Sequence, residues 1–153
     1  MASLDDAGGF QVLAYSSHAG HRAEIVRALG THPAPDVEVT VTETATAATV
    51  ISILDHKGAD LVILDGEAAP VGGMGLARQL RDEIDPCPPL LVVTARAADA
   101  WLARWSRADA AVARPLDPFE LAETAVRLLR ERHPGPAHGP NSAIATPSGT
   151  SDL

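Results

Sequence analysis

The chain has 153 residues, 46% of them hydrophobic but only 3% aromatic, and carries a formal net charge of -8. That is enough apolar material for one domain with an aliphatic core, and it excludes a chain that is disordered throughout. Its acidic groups are spread along the sequence, which argues against nucleic acid as a direct partner, because phosphate binding needs a basic stripe.

Residues 1–9 are small and polar and read as a flexible leader without the apolar stretch of a signal peptide. Phe10–Tyr15 is the first expected strand and Arg22–Leu29 the first helix, stopped by Gly30. Val37–Thr42 alternates valine with polar residues, as a half-exposed edge strand does. Ala47, Val50, Ile51 and Leu54 mark the buried stripe of a second helix, ended by Gly58. Leu61–Leu64 and Leu90–Val93 are continuous aliphatic runs, the pattern of central strands buried on both faces. Leu76, Leu80 and Ile84 place a third helix between them, followed by the only cysteine, Cys87, among prolines. One cysteine allows neither an internal disulfide nor a thiolate metal cluster.

Ala98–Arg107 is the expected fourth helix and carries both tryptophans, and Ala110–Ala113 is the fifth strand. The last helix is expected to start at Asp117, with Pro118 at its first position and Glu120 near the third, and to run toward Arg130 and Arg132. Residues 133–153, rich in Pro, Gly, Ser and Thr, read as a disordered tail after a domain spanning 10–132. No stretch approaches the roughly 18 apolar residues of a membrane span, so a cytoplasmic protein is expected.

Strands alternating with helices imply a parallel sheet. In such sheets ligands bind outside the carboxyl ends of the strands. Four strands here run into polar residues at that edge: Ser16-Ser17, Asp65, Thr94 and Arg114-Pro115. Asp65 is the only carboxylate among them.

An aspartate ending strand three, a threonine ending strand four and a basic residue with proline ending strand five resemble the receiver domain of two-component response regulators. The resemblance covers residues 10 to about 130. It implies a flavodoxin-like, CheY-like fold: a five-stranded parallel sheet of order 2-1-3-4-5 with helices on both faces. It implies further that Asp65 stands where a histidine kinase delivers a phosphoryl group, and that Thr94 reads out phosphorylation. In that family two acidic residues after strand one hold Mg2+, and a lysine before the last proline pairs with the phosphoryl oxygens.

The chain departs from this pattern. Ser16-Ser17 stands in place of the acidic pair and Arg114 in place of the lysine, while the only lysine is Lys57. Arginine keeps the charge, but its planar fork is not a compact ammonium. Small residues, Ala110 and Ala111, fill the place of the family's switching aromatic, and the loop from Gly66 to Gly75 is longer than usual. Hard Mg2+ needs oxygen ligands, chiefly carboxylates, and without the acids it is held weakly. The chain thus resembles the atypical, stand-alone receivers of actinobacteria, which also fits one lysine beside eleven arginines.

Three readings of function follow. The first is a receiver that acts as a protein-interaction module, not an enzyme, with impaired Mg2+-dependent phosphorylation and no cofactor. The second is a working phosphoacceptor, phosphorylated on Asp65 by a histidine kinase, with Glu67 supplying a compensating carboxylate to a weak Mg2+ site. The third is a small-molecule-binding domain that uses the glycine loop and Ser16-Ser17.

Other features are weighed against plainer roles. His18 and His21 flank the missing acids and could join Asp65 around zinc or copper, or be polar residues at a helix start. Ser16 and Ser17 could cap the first helix. Gly72-Gly73-Met74-Gly75 resembles an anion-binding loop but lacks the spacing of a dinucleotide or P-loop motif. Trp101 and Trp105, at i and i+4, share one helix face and suit a partner surface, with Arg104 and Arg107 as its rim. In receivers the face of the fourth helix, fifth strand and fifth helix meets partners or a second copy. Whether Asp65 and Arg114 pair directly is not readable from the sequence; if they do, the pair would hold the site closed and stand in for the missing metal.

Overall fold

The structure, a computed structural model, describes residues 9–132. Most of the expected leader, and the whole expected tail, lie outside the described residues. Strand β1 (Gly9–Tyr15) leads through α1 (Ala19–Leu29) to β2 (Glu38–Thr44), α2 (Ala47–His56) and β3 (Leu61–Asp65). After α3 (Gly73–Glu83) and β4 (Leu90–Thr94) come a 3-10 turn (Ala97–Asp99), α4 (Ala100–Trp105), β5 (Ala110–Ala113) and α5 (Pro118–Arg132). All five strands are parallel, in the order β2-β1-β3-β4-β5.

Alternation along the strands divides the core between the two faces of the sheet. Val12, Ala14, Leu61, Ile63, Leu91 and Val93 pack against Ile25 and Leu29 of α1 and Leu121, Ala125 and Leu129 of α5. Leu13, Tyr15, Val62, Leu64, Leu90 and Val92 pack against Val50 and Leu54 of α2 and Leu76 and Leu80 of α3. Every residue of β3 and β4 is buried, whereas β2, at the sheet's edge, alternates. Each fully buried aliphatic side chain contributes about 1.5–3 kcal/mol.

Two local differences from expectation have clear causes. Helix α1 starts at Ala19, three residues before the first strongly periodic position, with His18 at its N-cap and no side-chain cap. The fourth helix is a 3-10 turn joined to a short α-helix rather than one continuous helix. It ends where Arg107 takes a left-handed conformation (φ 67°). The Arg81 guanidinium holds that turn by donating to the Arg107 carbonyl at 2.9 and 3.2 Å. The last helix starts as expected: the Asp117 carboxylate accepts from Phe119 N–H at 2.9 Å, with Pro118 in the first turn.

Candidate functional site

Sheet register brings the strand ends together. Tyr15 lies beside Leu64, Asp65 beside Val93 and Thr94 beside Ala113, so Ser16, Asp65, Thr94 and Arg114 gather at one edge. Asp65 is fully buried there. Behind it α3 comes unusually close: a Cβ at Gly73 would lie 2.6 Å from the Asp65 carbonyl oxygen. The second glycine of the Gly72–Gly75 run therefore serves close backbone packing.

The Asp65 carboxylate is surrounded by donors. Its Oδ2 accepts from the Ser16 hydroxyl and from His21 Nδ1, both at 2.7 Å. Its Oδ1 accepts from Glu67 N–H at 2.9 Å. A carboxylate only accepts, so Nδ1 is the protonated ring nitrogen of His21 in this contact. Arg114 Nη2 is 3.4 Å from Oδ1, an ion pair without a hydrogen bond. The guanidinium turns Nη1 instead onto Glu24 of α1, leaving Nε and Nη2 buried without hydrogen-bond partners. Arg114 thus sits between two carboxylates, with the stronger contact to Glu24. The direct pair with Asp65, which the sequence left open, is present as the weaker of the two contacts.

These contacts set the ionisation of Asp65. Burial, the largest single influence, pushes its pKa up. The Ser16, Glu67 and His21 hydrogen bonds, together with the Arg114 charge, outweigh burial and hold it below the ordinary value of 3.8. Asp65 is therefore an anion at neutral pH.

The remaining expected residues take other roles. Ser16 and Ser17 do not cap α1, because the chain has not yet turned into the helix where they stand. Ser16 accepts from His18 N–H at 3.0 Å while donating to Asp65, and Ser17 accepts from Ala69 N–H at 2.9 Å, tying the loop after β3 to β1. Thr94 is buried and its hydroxyl donates to the Arg96 carbonyl at 2.9 Å. The side chain of Glu67 is exposed, and only its backbone touches Asp65. Pro115 follows Arg114 through a cis peptide. The His18 and His21 rings lie 4.8 Å apart. Among the described residues no group of three or more His, Cys, Asp or Glu could hold a metal ion.

Three residues of the site were not expected from the sequence: His21 in its hydrogen-bonding role, Glu24, and Tyr15, whose hydroxyl donates to the Val71 carbonyl at 2.6 Å. Burial, and then the charge of Asp65, push the Tyr15 phenol above 10.0. The available signal was helical spacing: starting α1 at Ala19 puts His21 and Glu24 on one face, at i and i+3, in the first turns beside the strand ends.

Away from this edge, Trp101 and Trp105 are 63% and 58% exposed, so neither fills the core. The Arg78 guanidinium stacks 4.6 Å from the Trp105 ring centroid and donates to its carbonyl. Arg104 is exposed beside them, while Arg107 pairs with Asp82 at 2.6 Å. Asp109 binds Arg81 of α3 at 2.6 Å. Cys87 is half-buried near Arg81 and Arg132; burial pushes its thiol pKa up, the nearby Arg81 charge notwithstanding, so it is not an activated thiolate.

No protein-family model matches the chain. Two Mycobacterium tuberculosis proteins, from strains CDC 1551 / Oshkosh and ATCC 25618 / H37Rv and described as uncharacterized response regulatory proteins, are each 49% identical over 135 residues. Those alignments cover 88% of this chain and 98% of each relative. Among solved structures, the receiver domain of Francisella response regulator 1452 superposes with a TM-score of 0.68 at 14% identity, covering 80% of this chain and 98% of that one. The receiver domain of the putative response regulator NarL from Mycobacterium tuberculosis gives 0.66 at 19% identity, covering 80% and 97%. At such identities these structures speak for the fold alone, and the mycobacterial relatives carry the family. With Asp65, Thr94 and Arg114-Pro115 at the matching strand ends, the chain belongs to the response-regulator receiver family.

Proposed function

We propose that this receiver works as a protein-interaction module, not an enzyme, in which Mg2+-dependent phosphorylation of Asp65 is impaired. The observation that carries the reading is the donor shell of Asp65: a hydroxyl, an imidazole N–H and a backbone N–H occupy the carboxylate that a metal would need. Attack on a dianionic phosphoryl group requires its charge to be neutralised, which Mg2+ and a nearby cation supply in such sites. The residues here fit Mg2+ poorly. Ser16 spends its proton on Asp65, Glu24 is bound to Arg114, and Glu67 points its carboxylate to solvent. Asp65 is then a structural anion, balanced by the Arg114 charge and held by hydrogen bonds from Ser16, His21 and the Glu67 N–H.

Receivers act through other proteins, histidine kinases among them. In this reading the partner surface is the exposed face of α4, with Trp101 and Trp105 as anchors and Arg104 and Arg107 at the rim. Large aromatic side chains left in water beside arginine are the composition of a binding hot spot. Its cytoplasmic setting, expected from the sequence, belongs to the same proposal. No helix among the described residues is long and apolar enough to cross a membrane.

Titration with Mg2+ followed by backbone amide chemical shifts tests the reading. Resonances of Ser16, Ser17, Asp65 and Glu67 are expected to stay fixed through about 10 mM Mg2+, a range in which carboxylate sites fill. Saturable shifts confined to those residues would instead support the phosphoacceptor reading, with Glu67 completing the site.

A further inference from the structure

We propose that His18 and His21 form a binding site for a divalent transition-metal ion, zinc in the first place. The two imidazoles are the protein ligands, and Asp65 orients one of them from behind. The site rests on the His21–Asp65 contact and not on whether Asp65 can take a phosphoryl group.

Asp65 itself is not a ligand. It is fully buried, and both its oxygens already accept hydrogen bonds, from Ser16, His21 and the Glu67 N–H. Its effect is on His21. Because Nδ1 carries the proton given to the carboxylate, Nε2 is left with a lone pair, the form in which imidazole binds metals. A metal-bound histidine almost always donates its other ring N–H to a carboxylate, carbonyl or water, which fixes the tautomer and raises the basicity of the ligating nitrogen. His21 already has that arrangement, on a side chain 36% exposed.

His18 supplies the second ligand. It stands at the N-cap of α1, is exposed, and makes no capping bond with its side chain. Among the described residues its imidazole has no hydrogen bond and one ring partner, His21, at 4.8 Å between ring centres and a tilt of 57°. With Zn–N bonds of about 2.0–2.1 Å, two imidazoles on one tetrahedral ion hold their ring centres roughly 5 Å apart. The pair therefore suits a single ion with little movement. No third His, Cys, Asp or Glu joins them among the described residues, so water completes the coordination, as at open zinc sites.

Charge and ligand type select the ion. In the ion pairs around these rings the carboxylates of Asp65, Glu24 and Glu43 outnumber the guanidiniums of Arg22 and Arg114 by three to two. That excess offsets the positive end of the α1 dipole, which opposes a cation here. Imidazole suits zinc and copper, whereas hard Mg2+ takes oxygen ligands, so the edge that fits Mg2+ poorly fits a softer ion better. A bound ion would clamp the residue before α1 to the helix's first turn and, through Asp65, to the end of β3.

Titration of the full chain with zinc chloride from about 1 µM to 1 mM, followed by calorimetry and by the 15N shifts of the histidine rings, tests this. One ion per chain is expected, with Nε2 of His21 shifting while its Nδ1 stays protonated, and excess Mg2+ should not compete. His18→Ala and His21→Ala should each weaken binding at least about tenfold, and Asp65→Asn by roughly 10–100-fold. His32→Ala, His56→Ala, His133→Ala and His138→Ala, which cover the other four of the six histidines, should leave it unchanged. Thermal melting without metal confirms that each variant is folded; His18 is exposed, so its variant keeps the fold whatever Asp65→Asn does. The absence of saturable binding would overturn the proposal. So would binding that survives His18→Ala, or that follows one of the other four histidines instead. A folded Asp65→Asn that binds zinc as wild type does would remove Asp65 from the site.

Discussion

Replacing Asp65 by Asn separates an internally neutralised site from a cluster of mutually repelling acids. In an acid cluster, removing one charge relieves repulsion and raises stability. Here the nearest groups are donors and a cation: Ser16, His21, Glu67 N–H and Arg114. The amide keeps one acceptor and sets an NH2 against former donors. Ser16 can rotate and His21 can exchange its tautomer, which recovers part of the loss, but Arg114 loses one of its two counter-ions in a buried setting. Hydrogen bonds to a charged group contribute about 1.5–3 kcal/mol, so a net loss of about 2 kcal/mol is expected. For a domain of this size that lowers Tm by roughly 6–10 °C.

The pH dependence adds a second constraint. The Asp65 pKa is depressed in the folded state, so the unfolded chain binds the proton first as pH falls. Its stabilisation is therefore fully present above the ordinary carboxylate value of 3.8 and is lost below it, as pH passes through the lowered folded value. Urea denaturation of wild type and Asp65→Asn should show a constant gap between pH 7 and 5 that narrows only below about pH 4. An Asn variant as stable as wild type, or more stable, at pH 7 would refute the reasoning.

Tyr15 is the sole tyrosine, so ultraviolet titration of the folded protein reads one phenol. Its transition should lie above pH 10.0, and Asp65→Asn should bring it down by removing the nearby charge. Because the folded pKa is the higher one, Tyr15 supports the fold below pH 10.0 and that support is lost as pH rises through the folded value; a transition at or below the ordinary value would contradict the burial described. Gly73→Ala should destabilise the fold by about 1–3 kcal/mol by denaturant melting, because its Cβ meets the Asp65 backbone and neither strand end nor helix start can move freely. A neutral Gly73→Ala would mean that the approach of α3 to β3 is looser than 2.6 Å implies.

Much of the fold was legible because aliphatic runs and helix stops carry it. Leu61–Leu64 and Leu90–Val93 read as doubly buried strands and became the central ones, β3 and β4, while alternation in Val37–Thr42 marked the edge strand. The strand-end residues Ser16, Asp65, Thr94 and Arg114 followed from the parallel topology. What surrounds Asp65 was less legible. His21 and Glu24 reach the site from α1 only once the helix begins at Ala19, and that start has no capping side chain to announce it. Arg114 prefers Glu24 to Asp65, a choice between two partners that depends on where α1 packs, and sequence spacing does not encode it. The fourth helix was overrun at both ends because its alanines and arginines suit a longer helix, whereas the turn at Arg107 is fixed by Arg81 from another element.

Intact-protein mass spectrometry after incubation with acetyl phosphate and Mg2+, with Asp65→Asn alongside, tests most directly whether Asp65 has left the phosphotransfer chemistry of its family. The account predicts an unmodified mass for both proteins, with the wild-type fold intact. A single phosphoryl adduct on the wild type, missing from Asp65→Asn, would contradict it and restore Asp65 as a phosphoacceptor.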